Sequence, residues 1–132
     1  MKIRELAESD YNQVIELWTK SLSNKFDNEI NTSHLSDPGS ITLVSVDNNT
    51  ITGVASLYII KKLTRTLGLI EDVAVNENYR GKGIGKKLVE KLIGLAADKK
   101  CDKTVLNSSE QNSEFYKKIG FEKNEIQMII RN

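Results

Sequence analysis

Cysteine, proline and histidine are each present once in this chain of 132 residues. With Cys101 alone, no disulfide can close within the chain and a cysteine-rich zinc site is excluded, so no metal is expected. That usage fits a reducing compartment. An excess of one charge is missing too. Nineteen Lys and Arg face 18 Asp and Glu, and the resulting +1 gives no global pull toward nucleic acid or an anionic membrane. No stretch approaches the ~18 apolar residues of a membrane span, and Met1-Lys2-Ile3-Arg4-Glu5 does not open a secretory signal. A cytoplasmic protein is expected, with neither nucleic acid nor membrane as partner. Repeats, low-complexity tracts and linkers are absent as well, so residues 1–132 read as a single domain with one core.

The pattern that remains is mixed. Residues 2–7 read as a short strand, and Ser9 and Asp10 supply N-cap chemistry for a helix over about 10–22, with Tyr11, Val14, Leu17 and Trp18 on its apolar face. Residues 23–40, which carry Pro38, read as a short helix and a surface loop. A β-branched run over 41–46 ends at the hairpin signal Asp47-Asn48-Asn49, and its partner strand runs over about 50–60. A basic segment with Lys61, Lys62 and Arg65 leads to a strand over 67–75. The clearest helix spans 84–99, where Leu88, Val89, Leu92, Ile93 and Ala96 form one stripe opposite a solvated lysine face. A short strand at 104–106, a helix at 112–119 stopped by Gly120, and a closing strand at 126–131 complete a mixed α/β sheet.

Between a strand and that longest helix lies Arg80-Gly81-Lys82-Gly83-Ile84-Gly85-Lys86. Glycines permit positive φ and close backbone approach, while a helix start offers unpaired N–H groups at the positive end of its dipole. With Arg80, Lys82 and Lys86 adding charge, the segment suits a pyrophosphate. It is not a P-loop, because Lys87 stands where that motif has its hydroxyl, and the dinucleotide spacing Gly-x-Gly-x-x-Gly is not met. A glycine-rich turn that merely caps a helix is the bland alternative.

Arg80-x-x-Gly83-x-Gly85 in this setting resembles the acetyl-CoA pyrophosphate motif of the GNAT superfamily of N-acetyltransferases. Three flanking stretches make the whole similar to the glucosamine 6-phosphate N-acetyltransferases within it. They are Ile70-Glu71-Asp72-Val73-Ala74-Val75, Glu110-Gln111-Asn112, and Phe115-Tyr116-Lys117-Lys118-Ile119-Gly120-Phe121. Register holds to Met128-Ile129-Ile130-Arg131, and Ile3-Arg4 with the stretch from Asp10 to Val14 also match.

The resemblance implies the α/β (α+β) GNAT acyl-CoA N-acyltransferase fold, a mixed, mostly antiparallel central sheet flanked by helices. It implies acetyl-CoA as cosubstrate and an amino-sugar phosphate, glucosamine 6-phosphate, as acceptor. Direct attack in a ternary complex would then give N-acetylglucosamine 6-phosphate for UDP-N-acetylglucosamine synthesis. Backbone groups of Val73, Ala74 and Val75 would meet the pantetheine arm and the thioester carbonyl. Arg80, Gly81, Lys82, Gly83, Ile84, Gly85 and Lys86 would hold the pyrophosphate, with Asn112 and Lys118 also on the cofactor. Tyr116 would lie by the sulfur, Glu71, Asp72, Val73 and Asn107 at the sugar, and Arg131 would grip the sugar phosphate of the partner chain in a homodimer.

Three departures from the family pattern are visible. Asn107 stands where an acidic residue usually faces the amine, the segment 60–65 has no histidine, and a threonine common at the end of the first helix is absent, with Ser21 or Ser23 as its replacement. The chain is also shorter between 23 and 50. The base is therefore open among Glu71, Asp72 and a water chain. Tyr116, ordinarily titrating at about 10, can protonate a thiolate whose thiol resembles cysteine at about 8.5. Strict alternation over 67–75 would put Glu71 on the face of Leu69 and Val73, so a β-bulge is expected there.

Each residue also has a plainer reading: Tyr116 as a core tyrosine, Glu71-Asp72 as a solvated pair, Arg131 as a frayed charge, Cys101 and Trp18 as packing residues. His34 is assigned no role. A GNAT enzyme for another amine, or a CoA-binding sensor without turnover, are the competing functions.

Overall fold

The computed structural model describes residues 1–22 and 30–132. Its elements are β1 (Lys2–Glu5), α1 (Tyr11–Ser21), β2 (Ser40–Asp47), β3 (Thr50–Lys61), β4 (Thr66–Val75), α2 (Ile84–Asp98), β5 (Lys103–Leu106) and α3 (Glu110–Ile119), with 3-10 turns at Glu8–Asp10, Thr32–Leu35 and Glu77–Tyr79. The short helix expected within 23–40 and the candidate hydroxyl of Ser23 fall at least partly outside the described residues; in the rest of that stretch the 3-10 turn at Thr32–Leu35 is the one helical element.

The five strands lie in sequence order. Neighbours β1 to β4 are antiparallel, and β4 pairs parallel with β5. The first crossing from β2 to β3 is the turn foreseen at Asn48 and Asn49, whose φ values of 48° and 68° are the two positive angles of a tight hairpin. β4 to β5 needs a crossover, and α2 supplies it.

Alternation then divides the core between the two faces of the sheet. On one, Leu43, Ala55, Leu57 and Ile70 meet the α2 stripe of Ile84, Leu88, Val89, Leu92 and Ala96. On the other, Val44, Ile51, Val54 and Ala74 meet Val14 and Leu17 of α1. Gly53 lets α2 sit down on β3: a Cβ there would stand 2.8 Å from Ile84 Cγ2.

Two expectations are corrected. Asp10 precedes α1, but its carboxylate makes no cap bond to that helix. It turns back instead to accept from Arg4 Nη1 at 2.7 Å, Arg4 Nη2 at 3.0 Å and the Ala7 N–H at 2.8 Å. Two charge-assisted bonds outbid a single cap bond. The closing strand at 126–131 is also not formed; Ile126, Met128 and Ile130 are 85%, 86% and 88% exposed. A strand needs a neighbouring edge to satisfy its backbone, and this segment pairs with none of the described strands.

The buried Asp10 carboxyl is held below the usual carboxylate range, chiefly by its hydrogen bonds to Arg4. A lowered folded-state value stabilises above the ordinary carboxylate pKa of about 3.9, and that stability is lost as pH falls through the lowered value. Arg4→Ala should therefore cost about 1–2 kcal/mol at pH 7, discounted for the partly exposed guanidinium. Urea unfolding at pH 7 and pH 3 checks it, with the difference between parent and variant shrinking at the lower pH.

Candidate active site

The bulge foreseen in β4 is present. Val54 pairs with Ala74 but Ser56 pairs with Glu71, so Asp72 and Val73 together stand opposite Ala55. Asp72 takes φ 57°, and its carbonyl accepts the indole N–H of Trp18 at 2.9 Å. The extra residue resolves the alternation conflict: Val73 joins the α2-side core with Ile70, while Ala74 goes to the α1 side. Glu71 shares the α1 face with Ser56, its register partner.

Just there the β4–β5 ladder stops. Its last pair is Ile70 with Leu106, whereas β4 continues through Val75. Among the described residues, 71–75 thus present an edge that pairs with no strand on the β5 side, and the two strands part into a wedge. Asn107 follows β5 and is exposed, a neutral side chain with no proton-accepting charge.

α3 enters on the α2 side of this wedge. Its N-cap is Ser109, whose Oγ accepts the Asn112 N–H at 3.2 Å, and Gly120 at φ 124° ends it. Tyr116 is half-buried, packed against the α2-side core and edge-on to Phe115 and Phe121 at 4.9 and 5.9 Å between ring centres. Burial raises its pKa, which keeps the phenol protonated. Asn112 lies one turn before it on the same helix face. Lys118 is exposed and lies about 200° around the helix from Tyr116, so the structure does not bring it to that face.

The glycine loop behaves as its chemistry requires. Gly81 and Gly83 have φ 81° and 78°, and α2 begins at Ile84. An added Cβ at either would meet nothing within 4 Å, so the left-handed backbone demands glycine there while the space above stays open. Lys87 N–H is bonded to Gly83 O, which leaves the N–H groups of Ile84, Gly85 and Lys86 as first-turn donors. Lys82 stands over the Tyr79 ring at 5.2 Å, and Arg80 and Lys86 are exposed.

On the α1 side, a cavity of ≈ 270 Å³ is lined by Tyr11, Val14, Trp18, His34, Tyr58 and Asp72, among others. Burial raises the pKa of Glu71, helped by the neighbouring Asp72 charge. Asp72 is likewise raised by burial, and His34 works against that rise. Sequence reasoning missed His34, Tyr58, Ser56 and Thr42. The signal for three of them was polar residues alternating with the apolar Ile41, Leu43, Ala55, Leu57 and Ile59 in β2 and β3; His34 carried none. Arg131 lies in the exposed tail after α3.

The model of the Acetyltransferase (GNAT) family matches residues 2–121. Glucosamine 6-phosphate N-acetyltransferase 1 of Dictyostelium discoideum is 41% identical over 93 residues, 68% of this chain and 59% of that protein, so the match spans less than two thirds of the relative. Glucosamine 6-phosphate N-acetyltransferase of Trypanosoma brucei brucei is 36% identical, covering 97% of this chain and 93% of that one. The crystal structure of glucosamine-6-phosphate N-acetyltransferase from Arabidopsis thaliana superposes with a TM-score of 0.87 at 30% identity, over 98% and 97% of the two chains.

Replacing Gly83 with valine should cost about 1–2 kcal/mol in the left-handed region. The distorted loop should also weaken binding of a diphosphate-bearing coenzyme at least tenfold. Thermal unfolding and calorimetric titration with coenzyme A read the two effects separately.

Proposed function

We propose, starting from the fact that the chain belongs to the GNAT acetyltransferase family, that it transfers the acetyl group of acetyl-CoA to the amine of glucosamine 6-phosphate. The observation that carries the donor half is the parting of β4 and β5 after Ile70 and Leu106, together with a glycine turn of two left-handed residues at the head of α2, beside Val75 at the end of β4. First-turn amides of α2, with Arg80, Lys82 and Lys86, suit the pyrophosphate. The unpaired edge of Val73, Ala74 and Val75 suits the amides of the pantetheine arm, and its N–H groups can stabilise charge on the thioester carbonyl oxygen. Asn112 and Tyr116, one turn apart on one face of α3, would flank the bound cofactor. The names of the relatives motivate the acceptor.

In this scheme the neutral amine attacks the thioester carbon in a ternary complex. The new C–N bond forms, the C–S bond breaks, and the departing thiolate takes a proton from the Tyr116 hydroxyl. The proton shed by the nitrogen as the amide forms then restores the phenol. Burial of Tyr116, by keeping it protonated, favours this donor role. Holding both reactants side by side supplies much of the acceleration. Glu71 and Asp72 at the bulge border the sugar site.

The reading includes a cytoplasmic homodimer. Its support is the tail after α3, where Ile126, Met128, Ile129 and Ile130 are all exposed. Among the described residues β5 has no strand on its outer side, and a groove beside it is lined by Thr104, Leu106, Tyr116, Phe121 and Ile126. A second chain laid along that edge would cover apolar surface and satisfy backbone groups. It would also carry Arg131 toward the neighbour's sugar phosphate. A different amine acceptor is the second reading, favoured by the neutral Asn107.

Thiol release from acetyl-CoA tests the proposal. Glucosamine 6-phosphate should turn over far faster than glucosamine, and equal rates would remove the case for a phosphate grip. Tyr116→Phe should lower kcat about a hundredfold with KM for acetyl-CoA little changed. Arg131→Ala should raise KM for the sugar phosphate at least tenfold and leave acetyl-CoA binding intact; an unchanged sugar KM would point to another acceptor.

A further inference from the structure

The peptide between Asp72 and Val73 lies at the bulge, outside the regular pairing of β4 with β3. Its two residues together oppose Ala55, and regular pairs resume at Glu71 on one side and Ala74 on the other. A bulge leaves its surplus residue out of the ladder, so the plane of this peptide needs another hold. The indole of Trp18 provides one, donating from Nε1 to the Asp72 carbonyl at 2.9 Å. Asp72 sits at φ 57°, a left-handed angle that an aspartate adopts at a cost.

The indole is itself fixed. Trp18 is half-buried and packs against the cluster of Val14, Leu17, Val54 and Ala74. At the start of α1, Asp10 takes two bonds from Arg4 of β1. One turn on, Gln13 accepts the Ile51 N–H at 2.9 Å and donates to the Asn49 carbonyl at 3.1 Å, which joins α1 to the β2–β3 hairpin. The donor near the far end of the helix therefore has a set position relative to the strand that carries the bulge.

We infer that Trp18 is a positioning residue for acetyl transfer: its N–H clamps the Asp72–Val73 peptide so that the Val73 N–H is presented to the oxygen of the thioester carbonyl. The inference rests on the donor half of the reading above and adds the part that aims the oxyanion donor. The peptide is trans, so its C=O and N–H leave from opposite edges of one rigid plane. Fixing the oxygen toward α1 thus fixes the Val73 N–H pointing away from α1. The glycine turn that would hold the coenzyme heads α2, which packs the opposite face of the sheet. Accepting the indole bond also polarises the peptide and makes its N–H a stronger donor. Charge that develops on the thioester oxygen during attack then meets a donor already in place, with no reorganisation left to do. The indole acts through this peptide, without contact to the thioester.

The test is the infrared spectrum of acetyl-CoA, isotope-labelled at the acetyl carbonyl, bound to the parent, to Trp18→Phe and to Val44→Ala. In the parent the carbonyl stretch should lie below that of the free thioester in water. Trp18→Phe keeps an aromatic ring but has no N–H, and should move the stretch back up. It should also lower kcat about tenfold or more. Its Kd for coenzyme A, which lacks the carbonyl, should stay within about twofold of the parent. Val44→Ala weakens the same core cluster without touching the bond, and should leave the stretch at the parent position while lowering Tm. Should Trp18→Phe not fold, benzothienylalanine in place of Trp18 gives the same comparison, since it keeps the indole shape with sulfur instead of N–H. A stretch that does not move when the N–H is lost, an equal move in Val44→Ala, or a kcat within about twofold of the parent overturns the clamp and leaves the donor reading intact. Failure of the unaltered protein to bind coenzyme A overturns both.

Discussion

The left-handed backbone at Asp72, with its carbonyl held by the Trp18 indole 2.9 Å away, sets the rest of the molecule in order. One surplus residue there exchanges the faces of everything that follows it in β4. Val73 therefore reaches the α2 side with Ile70, and Ala74 returns to the α1 side. An unbulged strand would have sent Val73 out beside Glu71 and turned an acid into the core under α2. Because α1 supplies the indole, the helix that packs the far face of the sheet also fixes where the β4 edge bends.

That bend divides the chemistry between two layers. The free first-turn amides of α2 and the Tyr116 hydroxyl belong to the α2 and α3 side, where burial keeps a phenol protonated. Carboxylates, Tyr58 and His34 belong to the α1 side. A thioester lying in the wedge between β4 and β5 would have a proton donor beneath it and proton acceptors above. The sheet itself keeps the two groups from neutralising each other.

Much of this was legible before any coordinates. The α2 stripe, the Asn48-Asn49 turn and the glycine loop each express a local rule, and local rules survive folding. The bulge could be foreseen because the alternation of 67–75 was inconsistent with a single face for its residues. What failed was non-local. Asp10 looked like an N-cap, but Arg4 offered its carboxylate two bonds where a cap offers one. The tail at 126–131 has the composition of a strand, yet composition cannot provide the edge a strand needs. His34 stands in a polar stretch, and only the return of that stretch over β2 and β3 sets it beside Thr42 and Tyr58.

The three glycines of the loop are not equivalent. Gly81 and Gly83 are fixed by torsion, with free space around them, whereas Gly85 has ordinary helical backbone and crowded surroundings. A methyl on Gly85 would press Val75 at 3.3 Å and Phe115 at 3.4 Å. An obstacle made of side chains can be removed by trimming the neighbour; an obstacle made of φ cannot. Gly85 could thus be exchanged for alanine in company with a smaller residue at Val75, while no second change elsewhere would release Gly83. The loop has one letter that drifts in pairs and two that do not drift at all.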